Sequence, residues 1–184
     1  MTMAKKQRGH FLEFDCAAAV LTGTLQPHRS KEGQWVLQTE KLTFPVEVHP
    51  PLQEQLVTNP DVLQKNPQLA CWVRWNWEKS CPQLTVVKGM PKQPNHRDHY
   101  TVRGTVASIE NNVVLIRIQP SREEVEPFEV PVLLRPEWLE KIAVGQRLQT
   151  VCAPKQGWLH VRSWYVVRPR QSSSSESSAL PEAS

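Results

Sequence analysis

Leu21-Thr-Gly-Thr-Leu25 and Val102-Arg-Gly-Thr-Val106 are the two stretches of this sequence that decide the fold. In each, a glycine followed by threonine lies in the middle of an apolar strand, where glycine ordinarily weakens a sheet. A small closed barrel needs a bend or bulge in its first strand, and glycine allows it. Because the same feature occurs in two parts of one chain, it predicts an internal repeat.

Further matches between the two parts follow these glycines in the same order along the chain. The matched pairs are Trp35–Leu37 with Val113–Leu115, Phe44–Val48 with Phe128–Val132, Pro51–Leu56 with Pro136–Ile142, Ala70–Val73 with Leu148–Val151, and Leu84–Val86 with Leu159–Val161. Each copy is therefore predicted to contain three strands, a short helix begun by Pro51 or Pro136, and two further strands.

This β-β-β-α-β-β order resembles the five-stranded OB barrel, which has its helix between the third and fourth strands. The resemblance covers residues 12–168 and rests on the order and length of the elements. It implies an all-β fold with short helices, built as two consecutive five-stranded OB-like barrels from an internal duplication. We expect no strand pairing across the linker between the barrels and no long helix.

The composition distinguishes two terminal segments and one linker from the folded parts of the chain. We expect a flexible basic arm at 1–9, OB-like domains at 10–88 and 99–170, a proline-containing linker at 89–98 and a disordered serine-rich tail at 171–184. The expected core residues are Leu25, Leu37, Val46, Val48 and Val73 in the first copy, and Val106, Leu115, Val130, Val132, Leu139 and Val161 in the second.

Composition and motifs exclude several classes of protein. The 184 residues carry 22 Lys+Arg against 18 Asp+Glu, a net charge of +4, and no apolar run approaches the roughly 18 residues that span a bilayer. Four cysteines without a C-x-x-C pair indicate reduced thiols, so we expect a cytoplasmic protein without membrane contact. Without a P-loop, G-x-S-x-G or H-E-x-x-H motif, we expect neither an enzyme nor a bound cofactor. The run His96–His99 has no third ligand at a suitable spacing, so we expect no metal site.

The last strand of the second copy is the first candidate binding surface. Period-two alternation over Leu159 to Arg168 predicts one outward face. That face contains His160, Arg162, Trp164 and Arg168, with Arg103 and Arg117 on neighbouring strands. Aromatic rings stack on bases, and arginines contact phosphates, so this pattern is typical of single-strand binding. The alternative is that Trp164 packs against the other domain and the arginines are ordinary solvated charges.

The Trp-rich segment Cys71–Trp77 is the second candidate surface. Alternation predicts that Trp72 and Arg74 share an outward face, near Trp35 on the second strand, where bases could stack. The alternative is a Trp-rich core or domain interface.

Two functions remain after these exclusions. The first is a non-enzymatic nucleic-acid-binding protein for single-stranded or structured RNA, or single-stranded DNA. The alternative is a protein-interaction or assembly adaptor. Residues 10–90 hold seven basic and eight acidic side chains, whereas residues 100–170 hold ten basic and seven acidic ones. The second copy therefore has the charge that nucleic acid favours, and the first has the near-neutral character of a protein interface.

Overall fold

The computed structural model describes residues 14–29, 31, 33–40, 42–63, 68–91, 93–94 and 97–167. The first half contains β1 (Cys16–Thr22), β2 (Thr24–Pro27), β3 (Trp35–Gln38), β4 (Thr43–Val48), α1 (Pro50–Thr58), a 3₁₀ turn (Pro60–Leu63), β5 (Gln68–Asn76) and β6 (Cys81–Met90). The second half contains β7 (His99–Glu110), β8 (Val113–Ile118), β9 (Phe128–Leu133), α2 (Pro136–Leu139), β10 (Arg147–Lys155) and β11 (Trp158–Val166). The predicted arm at 1–9 and tail at 171–184 lie outside the described residues.

The predicted all-β class with short helices is confirmed, and both proline-started helices lie between the predicted strands. In the second half the strands follow one another as β7-β8-β9-β11-β10, and β10 pairs with β7 to close a ring of five. The first half has the same neighbours, β3-β4-β6-β5, with β1 and β2 together in the place of β7. In each half the third and fifth strands are parallel: β4 with β6, and β9 with β11.

Gly23 and Gly104 occupy corresponding positions in the two halves. A Cβ added at Gly23 would lie 2.5 Å from the carbonyl oxygen of Gln38, and one at Gly104 would lie closer still to the carbonyl oxygen of Arg117. Only glycine allows the first strand to approach the second so closely. Both glycines therefore serve a close backbone approach. The strand is interrupted at Gly23, between β1 and β2, whereas β7 continues through Gly104, so the bend predicted there is not seen.

The two halves share one sheet, so the expectation that no strands pair across the linker is wrong. β1 and β7 pair antiparallel from Cys16–Arg103 to Val20–His99, which joins the strands of the described chain into an eleven-stranded sheet. After the interruption at Gly23, β2 pairs with β3, and the corresponding edge of β1 pairs with β7 instead. β6 also continues to Met90, and the linker therefore begins two residues later than predicted.

Polar side chains fasten β1 to the second half. The carboxylate of Asp15 accepts hydrogen bonds from Arg147 Nη2 at 2.6 Å and Nε at 2.8 Å, and from the backbone N–H of Gln119 at 3.2 Å. At the other end of the strand, the backbone N–H of Thr22 donates to Asp98 Oδ1 at 2.8 Å. These bonds hold the start and the end of β1 against the second half.

Most of the expected core is buried. The confirmed positions are Leu37, Val46, Val73, Val106, Val130, Val132 and Val161, while Leu25, Val48 and Leu139 are only half-buried. The prediction for Leu115 is wrong, because Val114 and Ile116 point inward instead. Val106 pairs with Ile116, just as Leu25 pairs with Leu37 in the first half. Leu37 therefore corresponds to Ile116, and the sequence match that aligned it with Leu115 is shifted by one residue.

Candidate nucleic-acid interface

The outward face predicted on β11 is interrupted by a bulge. Val161 pairs with Cys152 and Ser163 with Val151, so Arg162 is an additional residue without a partner in the β10–β11 register. The extra residue reverses the alternation. Arg162 remains exposed, but Trp164 is half-buried and packs against the core, and Tyr165 points outward at 46% exposure. The expectation that Arg162 and Trp164 share one face is therefore wrong, and Arg168 lies outside the described residues.

Arg103 cannot contact a ligand in this structure, although it was expected to do so. Its side chain is only 3% exposed. Its Nε and Nη2 donate to Oε1 of Gln149, and its Nη1 donates to the backbone oxygen of Phe14 at 3.3 Å. Arg103 thus fastens β7 to β10 and to the start of the first half. His160 is half-buried on β11 beside Leu133.

Trp72 and Arg74 lie on the same strand but take different partners. Trp72 is 47% exposed, and its ring meets the His49 ring edge-on at a centroid distance of 4.9 Å. The Arg74 guanidinium lies instead over the ring of Phe128, 4.7 Å from its centroid. The expected pairing of an aromatic ring with a guanidinium therefore exists, but it joins the two halves rather than two residues of β5.

An open groove of about 600 Å³ lies over β4 and β6 of the first half and extends to the start of β3. Trp35, half-buried opposite Val46, lines it. Lys31 in the β2–β3 loop and Lys79 in the β5–β6 turn lie at its margins. Its remaining polar lining is rich in amides: Gln34, Gln53, Asn76 and Gln83. Of the predicted site residues, this groove contains Trp35.

Glu47 places a carboxylate in the same groove. Its oxygens accept hydrogen bonds from Gln83 Nε2 at 2.6 Å and from the Thr85 hydroxyl at 3.2 Å. Both bonds hold the carboxylate on the outer side of β4. A fixed carboxylate repels phosphate but accepts hydrogen bonds from the amino groups of bases.

A second concavity, of about 620 Å³, lies between the halves and is called the cleft below. Trp77 from the β5–β6 turn lines one side, and Phe128, Arg117 and Glu129 line the other. Trp77 is 57% exposed, and Arg117 Nη2 forms a salt bridge with Glu129 at 2.8 Å. Of the predicted residues, Arg117 lines the cleft, and Arg74 lies over the ring of Phe128, another residue of its lining.

Sequence reasoning missed four residues of these two concavities: Lys31, Lys79, Trp77 and Phe128. For Lys31, Lys79 and Trp77 the available signal was their position, since the loops after the first and fourth strands flank the binding face of OB barrels. Periodicity within strands, on which the predictions depended, carries no information about loops.

Neither a protein-family model nor any curated protein matches this chain. No helix among the described residues has the length and apolar character needed to cross a membrane. Within the same residues, no group of three or more His, Cys, Asp or Glu side chains could hold a metal ion. His96, one end of the polar run in the linker, lies outside them.

Proposed function

We propose that each half is an OB-like barrel and that the pair arose by duplication. The shared strand order, the parallel contact between third and fifth strands, and the corresponding glycines Gly23 and Gly104 support this proposal. The β1–β7 pairing then joins the two halves through one sheet.

We further propose that the protein is a non-enzymatic binder of single-stranded nucleic acid, RNA or DNA. The observation that carries this proposal is the groove of the first half, whose lining combines Trp35 of the second strand with Lys31 and Lys79 from the two flanking loops. In OB barrels this face and its flanking loops bind oligonucleotides. The residue types agree with the ligand, because single strands need flat rings for bases and cations along the backbone.

The chemistry of the groove assigns a role to each group. Lys31 and Lys79 contact phosphates from the two margins, and the Trp35 ring stacks on a base. The side-chain amides donate to and accept from base edges, and the Glu47 carboxylate accepts from the amino groups of bases. With two cations and one carboxylate among its described lining residues, the groove contributes a small electrostatic term to binding, so a modest salt dependence is expected.

Titration of labelled single-stranded RNA and DNA by fluorescence anisotropy tests this function. The oligonucleotides have about 12 nucleotides, within the range of OB site sizes. Lys31→Ala and Lys79→Ala should each weaken binding and reduce the salt slope by about one. Lys88→Ala is the matched control, because Lys88 is an exposed lysine of the same half outside the groove. Equal loss in all three variants would reject the groove as the binding site.

A protein-interaction adaptor is a second candidate, and the outer face of the shared sheet favours it. One row of paired residues runs across both halves through Trp72, Ala18, Thr101 and Val151, and none of these is charged. Exposed aromatic residues surrounded by uncharged side chains are typical of protein interfaces. If oligonucleotides do not bind, and Trp72→Arg loses a protein that the wild type captures from native extract, the adaptor function holds.

A further inference from the structure

The β5–β6 turn, residues 77–80, is the common boundary of the groove and the cleft. Asn76 and Lys79 line the groove on one side of this turn, whereas Trp77 lines the cleft on the other. The two concavities therefore meet at neighbouring residues of one short segment. A chain-like ligand that leaves the groove at Lys79 reaches Trp77 directly.

Contacts between the halves fix the geometry of the cleft. The rings of Trp75 and Trp158 are 5.3 Å apart, and Arg74 lies over Phe128 at 4.7 Å. The Trp75 ring also meets Trp77 edge-on at 6.4 Å, which supports the exposed ring from behind. The exposed indole of Trp77 is therefore held in a defined position between the two halves.

The charged groups of the cleft are an exposed ion pair, Arg117 and Glu129, which an incoming anion can open. Arg117 forms its salt bridge with Glu129 while 61% of the arginine side chain and 27% of the glutamate side chain remain exposed. Exposed ion pairs of this kind contribute little to stability. A phosphate can therefore take the place of Glu129 on the guanidinium, since arginine binds phosphate as readily as carboxylate.

We propose that one single strand of nucleic acid runs from the groove of the first half across the turn at 77–80 into the cleft. Trp77 stacks on a base there, Arg117 binds a phosphate, and Phe128 forms the apolar floor beneath the Arg74 guanidinium. This inference rests on the proposed function, and it makes the second half part of the binding site. It predicts that the length of the strand decides whether the cleft is used.

Oligouridylates of about 4 and about 12 nucleotides separate the two concavities. The short strand fills the groove alone, and the long strand continues into the cleft. Trp77→Ala should weaken binding of the long strand roughly tenfold or more and leave the short strand unchanged. Trp72→Ala is the matched control, because Trp72 is a comparably exposed tryptophan of the same segment outside both concavities. It should change neither affinity.

A second variant tests the anion site by a gain of affinity. Glu129→Gln removes the carboxylate that pairs with Arg117, so the long strand should bind about twofold to fivefold more tightly. Glu110→Gln makes the same charge change at an exposed residue outside the cleft and controls for net charge. Because Glu129 and Trp77 are on the surface of the cleft, melting temperatures near the wild-type value verify that both variants fold.

The outcomes distinguish this inference from the proposed function. Binding of both strands, with Trp77→Ala affecting only the long one, supports the continuous path. Binding of both strands without any effect of Trp77→Ala or Glu129→Gln overturns the path and retains the groove. An equal loss of affinity for both strands in Trp77→Ala overturns the predicted dependence on strand length and rejects the groove as an independent site. No binding of either strand rejects the proposed function and the inference together.

Discussion

The guanidinium of Arg74, in the first half, lies 4.7 Å from the ring centroid of Phe128, in the second. Arg74 is on β5 and Phe128 is on β9, so the contact exists only when the two halves are docked. With Trp75 against Trp158, it places Trp77 and Arg117 on opposite sides of the cleft. The cleft is thus a property of the pair and not of either half alone.

Gly104→Ala should destabilise the protein by roughly 1–3 kcal/mol or more, because the new methyl group meets the backbone of Arg117. Gly33→Ala is the reference for backbone strain without a clash, since its positive φ of 76° costs alanine about 1–2 kcal/mol but the space around it is open. Urea unfolding should show a larger loss for Gly104→Ala. Similar losses in the two variants would contradict the close approach of β7 to β8.

The Asp15–Arg147 pair should couple the stability of the two halves. Arg147 donates two hydrogen bonds to Asp15, whose side chain is 9% exposed. A double-mutant cycle with Asp15→Ala and Arg147→Ala should give an interaction energy of roughly 0.5–3 kcal/mol. Chemical unfolding measures it, and additive effects would show that the pair does not fasten β1.

Stability should fall with rising pH above about 9 because of buried thiols. Burial raises the pKa of Cys71 from the ordinary 9.0 to about 12, and that of Cys152 to about 11. Between these values the unfolded chain has lost protons that the folded chain retains, so stability is full below pH 9 and is lost as pH rises. Guanidinium unfolding at several pH values measures the slope.

A double variant separates the thiols from other alkaline titrations. Cys71→Ala with Cys152→Ala should flatten the slope between pH 9 and pH 11. An unchanged slope in the double variant would assign the alkaline loss to other groups, among them Tyr100, whose pKa burial also raises.

Trp164→Ala should reduce stability by more than roughly 2 kcal/mol, because the indole packs against the core. Arg162→Ala should stay within about 0.5 kcal/mol, since that side chain is exposed at the bulge. Thermal unfolding compares the two. A stable Trp164→Ala variant with reduced oligonucleotide affinity would instead restore the binding face predicted on β11.

The order of the elements could be predicted because it depends on local patterns. Alternating apolar residues, prolines at helix starts and the paired glycines each act within a few residues. Which strand edges pair depends on how the strands are arranged in space. The β1–β7 contact was therefore not predictable from the residue pattern of either strand. The same holds for the bulge at Arg162, since one inserted residue leaves the apolar pattern of Leu159 and Val161 intact.

The candidate site was predictable only in part, for a related reason. Trp35, Arg74 and Arg117 were selected from strand periodicity, and all three line or adjoin the concavities. Arg103 was selected by the same rule but is buried, because Gln149 and the start of β1 surround it. Charge and aromatic character identify candidates, but only the packing of the two halves decides which of them reach the surface.

The preference for single strands over duplex tests the central claim most directly. A labelled single-stranded RNA of about 12 nucleotides and its fully paired duplex are titrated at about 50 mM and about 200 mM salt. We expect the single strand to bind at the lower salt and weaken as salt rises. The duplex should bind at least roughly tenfold more weakly, because its bases are already stacked. Equal affinity for the two forms, or no saturable binding of the single strand at the lower salt, would contradict the proposed function.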